Sequence, residues 1–151
     1  MAELVYDKDG RLLFTKEMKK EYTLLMPQML PVHFGMFQKL LQLEGYKVDM
    51  LTTHHHAIVE EGQKYVHNDT CYPALLVIGQ LIEAVKNGGY DPHKVALLIT
   101  QTGGGCRASN YIHLLRKALH KAGYDYIPVI SVSFGVEKNP GFGLSLSLIR
   151  K

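Results

Sequence analysis

The sequence predicts an α/β fold built on a mostly parallel, four-stranded sheet, and three observations carry that reading. Apolar strand-like runs recur at residues 22–26, 46–51, 95–100 and 127–133. Amphipathic segments of helix length separate them, as parallel strands joined by crossover helices require. Glycine or proline punctuates the junctions. Together these features predict a three-layer lobe of the Rossmann or flavodoxin-like kind over residues 22–151, preceded by a small N-terminal β-ribbon and connector over residues 1–21. The lobe is expected either to stand alone or to be a fragment of a longer protein.

The elements follow in order. Residues 5–14 form two extended pieces around Asp9 and Gly10, a dipeptide suited to a tight turn because glycine accepts positive φ cheaply. Residues 16–21 are charged apart from Met18 and show no apolar period, which predicts a connector. A helix is expected over 32–43, with Phe34, Phe37, Leu40 and Leu41 on one face and Gly45 as a left-handed cap. A short helix is expected at 57–66. The next runs over 73–86, where Pro73 suits the first turn and Gly88 and Gly89 end it. The last runs over 108–121, with Ile112, Leu115 and Leu119 inward, Arg116, Lys117 and Lys121 solvated, and Gly123 past its end. Beyond residue 134, Asn139-Pro140-Gly141 signals a turn, and the Leu/Ser alternation over 144–149 resembles an edge strand.

Composition bounds the function. A hydrophobic content of 46% with 21% charged residues is that of a foldable globular chain. No apolar run approaches the roughly 18 residues of a membrane span, and the first eleven residues lack a secretory leader pattern, so a cytoplasmic protein is expected. The net charge of +3 is modest and its bases are scattered, which argues against nucleic acid as a partner.

The chemistry concentrates on two cysteines, Cys71 and Cys106. Cys106 follows Gly103, Gly104 and Gly105 in a loop between a buried strand and a helix. Such loops gather at the carboxyl edge of a parallel sheet, where ligands bind. The glycines allow backbone N–H groups to approach an anionic object, and the helix start and Arg107 favour the thiolate. Cys71 stands two residues before Pro73, at the start of a crossover helix, and is therefore expected at the same edge. Spacing alone leaves alternatives open. Reduced cysteine is often a small core residue, the pair is not a C-x-x-C motif, and a cubane takes four cysteine ligands. A glycine-rich loop opening a helix also suits a phosphate, so a non-catalytic nucleotide-binding or scaffold lobe is the competing reading. The loop matches neither G-x-G-x-x-G nor G-x-x-x-x-G-K-[ST], and only Asp125 lies near the ribose-reading distance.

The strings Y-V-H-N-D-T-C-Y-P-A-L-L-V-I-G-Q-L-I-E-A-V at 65–85 and L-I-T-Q-T-G-G-G-C-R-A-S-N-Y at 98–111 resemble the acyl-CoA dehydratase activase-related family. Y-T-L-L-M-P-Q-M-L-P-V-H-F at 22–34 and N-P-G-F at 139–142 are similar to it as well. The family is related to the activator and dehydratase subunits of the 2-hydroxyglutaryl-CoA type, which use oxygen-sensitive [4Fe-4S] clusters and ATP-driven electron transfer. The resemblance implies that Cys71 and Cys106 ligate an iron-sulfur cluster. It also implies as partners dehydratase or activase subunits, further domains of the same protein, or a second copy in a homodimer. Around such a cluster, Gly103, Gly104 and Gly105 would supply N–H groups, and Gln101, Thr102 and Asn110 would hydrogen-bond its sulfurs. The sequence departs from the family in having no third cysteine and no actin-like ATP-binding lobes, so ATP hydrolysis is not expected of this polypeptide alone.

Remaining polar clusters have plainer readings. The triplet His54, His55 and His56 suits a transition metal but reads equally as an exposed loop. His33 and His67 are expected nearer the cysteine edge. Asp69 is expected to cap the helix that follows it.

Overall fold

The computed structural model describes residues 3–101, 110–132 and 141–143. Strands β1 (Val5–Tyr6) and β2 (Leu12–Leu13) form the antiparallel N-terminal ribbon, turning at Gly10 with φ of 72°. The Asp7 carboxylate accepts the backbone N–H groups of Asp9 and Arg11 and so fixes that turn.

The segment read as a featureless connector contains a short helix, α1 (Met18–Glu21), and Met18 is fully buried. One apolar residue among charges gives no period, yet Met18 packs with Leu12, Phe14, Tyr22 and Leu24. The ribbon and connector thus share a core with the sheet.

Strands β3 (Thr23–Pro27), β4 (Lys47–Leu51), β5 (Val95–Thr100) and β6 (Val129–Val132) make one four-stranded sheet in the order β4-β3-β5-β6, parallel throughout. Strand β5 is buried at each of its first five residues, which is why it reads as a continuous apolar run rather than an alternation. Its odd residues Val95, Leu97 and Ile99 face one core, and Ala96 and Leu98 the other.

Helix α2 (Pro31–Leu43) joins β3 to β4 and puts Leu41 into the second core, with Phe34 and Phe37 against it. Leu40, expected on the same face, is 43% exposed. Helices α3 (Ala57–Tyr65) and α4 (Tyr72–Asn87) form a hairpin, and α4 and α5 (Tyr111–Ala122) cover the opposite face. The result is three layers, with the chain crossing from one face to the other between β3 and β5.

The α3–α4 hairpin is held by an unusually close helix crossing. A Cβ added at Gly79 would lie 2.1 Å from the Ile58 carbonyl oxygen, and one at Gly62 would lie 2.5 Å from that of Leu75. Beside the crossing, Glu61 is 6% exposed and accepts bonds of 2.8 Å from both Lys64 and Lys86. Burial alone would raise the Glu61 carboxyl, but these two ammonium groups hold it below its ordinary range. No helix among the described residues is long and apolar enough to cross a membrane.

Candidate functional site

Adjacent strands β3 and β5 feed their following helices to opposite faces of the sheet, so their carboxyl ends flank a topological switch point. In an open α/β sheet this is the crevice where ligands bind. The chain bridges the crevice locally: the Thr100 hydroxyl at the end of β5 donates to Met29 Sδ in the β3–α2 loop, at 3.6 Å. Gln101 comes next, half-buried, its N–H donating to the Val132 carbonyl at 3.1 Å.

Cys71 lies on this same rim. Val66 is buried at the end of α3, and a turn closed by the Thr70 N–H on the His67 carbonyl brings the chain to α4. Cys71 takes the N-cap position with extended backbone, and its carbonyl accepts from the N–H groups of Ala74 and Leu75. Its thiol is exposed and stands at the positive end of a sixteen-residue helix. Asp69, expected to cap α4, does not: it pairs with His67 at 3.3 Å, because the cap position falls two residues later.

Across 40 residues of sequence, the Tyr111 hydroxyl approaches Cys71 Sγ at 3.7 Å. Tyr111 is the first residue of α5, with its side chain 7% exposed and packed in the core, so the hydroxyl reaches the rim from a fixed position. Asn110, the N-cap of α5, is exposed and makes no side-chain cap bond. Cys106, Gly103, Gly104, Gly105 and Thr102 lie outside the described residues.

Beside Cys71 a cleft of about 330 Å³ opens between the ends of β3 and β4 and the helix pair, lined by Gln28, Thr53, His54, His55, Tyr72 and Gln80 among others. Gln80 organises it. Its amide nitrogen donates to the carbonyls of Leu51 and Thr53, and its oxygen accepts from the Gln28 N–H. Sequence reading passed over both Gln80 and Tyr111. Gln80 carried a signal, as a lone amide inside the apolar run of α4; Tyr111 carried none, since its contact depends on how α5 packs against α4.

The histidine triplet does not converge. His56 pairs with Glu60 at 3.1 Å, His55 with the buried Glu83 at 3.7 Å, and His54 lines the cleft. His33 is exposed on α2, and His67 pairs with Asp69. Among the described residues no group of three or more His, Cys, Asp or Glu side chains is arranged to hold a metal ion.

A larger cavity, of about 560 Å³, lies at the amino edge of the sheet between the ribbon and the start of β6, where Asp7, Arg11, Arg116, His120 and Asp125 mix charges of both signs. Among the described residues, neither Cys71 nor the carboxyl ends of β3 and β5 line it. Comparison of the chain with family models, curated proteins and solved structures gives no match.

Proposed function

We propose that the carboxyl rim binds an iron-sulfur cluster, with Cys71 and Cys106 as thiolate ligands, and that the protein carries electrons for a 2-hydroxyacyl-CoA dehydratase system in the reducing cytoplasm. The observation that carries this reading is Cys71: an exposed sulfur at a helix start, on the rim from which the loop bearing Cys106 departs. Chain connectivity supports it, because Cys106 is five residues from both Gln101 and Tyr111. Likeness of the sequence around both cysteines to the acyl-CoA dehydratase activase-related family supports it further.

The donor chemistry fits half of a cubane. Soft thiolates suit iron-sulfur clusters, which take four such ligands, and this chain has two cysteines. The remaining donors then come from a dehydratase or activase subunit, another domain, or a second copy. Such a cluster supplies one-electron transfer. The chain's own residues supply the rest: Cys71 binds, the Tyr111 hydroxyl donates toward its sulfur, and Gln80 holds the adjoining loops in place.

Anaerobic reconstitution with ferrous iron and sulfide tests the proposal. Iron retained through gel filtration with broad visible absorbance is expected, lost in both Cys71→Ala and Cys106→Ala. Wild-type protein that retains no iron contradicts it, as does equal retention by the variants, the outcome expected of a scaffold lobe.

A further inference from the structure

Helix α2 is apolar on two sides. Its inner face meets the core through Leu41, while Val32, Met36, Leu40 and Leu43 form an outer stripe with exposures of 73, 64, 43 and 71%. Leu30, 56% exposed, extends the stripe to the carboxyl rim. Large apolar side chains grouped on one exposed helix face, rather than scattered singly, mark a candidate interaction surface. The spacing from Met36 to Leu40 to Leu43 is the four-then-three step of a helix-helix seam.

We propose that this stripe pairs with the same stripe of a second copy, with the two α2 helices parallel. Charge decides the occupant and the direction. Lys39 flanks the seam on one side and Glu44 on the other, five residues later. Parallel pairing sets each Lys39 against the partner's Glu44, twice by symmetry, as g and e positions meet in a two-stranded coil. Antiparallel pairing would set lysine against lysine. Because α2 begins at the carboxyl rim, a parallel pair turns both cysteine edges toward the same side. An interface confined to one helix from each copy is expected to be concentration-dependent, because standard interfaces bury roughly 800 Å² per partner.

Sedimentation velocity on the full chain, reduced and metal-free, tests the pairing separately from any cluster. A monomer–dimer equilibrium is expected. Leu40→Glu should be monomeric where the wild type dimerises, with unchanged circular dichroism. Lys39→Glu and Glu44→Lys should each weaken the dimer several-fold, and the double reversal should restore it. A wild type that stays monomeric at all concentrations means the stripe serves another partner and overturns the proposal. A dimer indifferent to Leu40→Glu, or a double reversal no better than the singles, overturns it too.

Discussion

Helix α4 buries ten of its sixteen residues, whereas α2, also rich in apolar side chains, buries Leu41 alone of thirteen. The difference lies in neighbours rather than composition. Helix α4 is wrapped by the sheet, α3 and α5, so its Gly79, its Gln80 and even its Glu83 are sealed in. Helix α2 meets the sheet on one side and solvent on the other. A helix with apolar side chains on more than one side is buried in one setting and left facing solvent in the other. The two helices also divide the work: α4 positions Cys71 and the cleft, and α2 displays a face.

Glycine substitution gives the sharpest contrast. Gly79→Ala drives a methyl group into the Ile58 carbonyl, 2.1 Å from the new Cβ, at an expected cost of about 3 kcal/mol or more, enough to loosen the α3–α4 hairpin. Gly35→Ala in α2 meets nothing within 4 Å and should stabilise by about 0.5–1 kcal/mol. Urea titrations of the two variants should move in opposite directions.

Truncation of apolar side chains comes next. Ile78→Ala, at a fully buried site, should cost about 2–5 kcal/mol, and Met36→Ala, at a site 64% exposed, about 0.5 kcal/mol or less. Similar losses at both would erase the contrast between the helices.

The smallest effect concerns the Glu61 ion pairs. Their ammonium partners lower the Glu61 pKa on folding, so their stabilisation is present above the ordinary value of 4.5 and fades as pH falls through the lowered folded value. The Lys86 pKa is raised by the Glu61 bond, so its share of the same interaction is lost only in strong alkali, above 10.5. Both lysines are partly exposed, which limits the pairs to about 1 kcal/mol or less. The difference in stability between wild type and Glu61→Gln should therefore be constant at neutral pH and vanish in acid.

Much of the fold was legible because its signals are local. Strand β5 was placed with both ends correct from its continuous apolar run, and α4 to within one residue at each end from Pro73 and Gly88. The short helix expected at 57–66 also matches α3, Ala57–Tyr65. Met18 was missed because burial there comes from the ribbon folding back, which no period in residues 16–21 announces. Leu40 was grouped on one face with Phe34, Phe37 and Leu41 because helical spacing does not separate them; the sheet covers Leu41 and leaves Leu40 at the edge, 43% exposed. At the rim, the place of Cys71 followed from chain direction in a parallel sheet. The Tyr111 contact and the Gln80 clamp did not, since both join segments distant in sequence.

Whether the two sulfurs meet at one rim, as the proposed function requires, is tested most directly by a short bis-maleimide applied to the reduced, metal-free monomer. One linker per chain, joining the peptides of Cys71 and Cys106, is the result expected. Two singly attached linkers per chain, with no joined peptide, would show thiols too far apart to hold one cluster and would contradict the account.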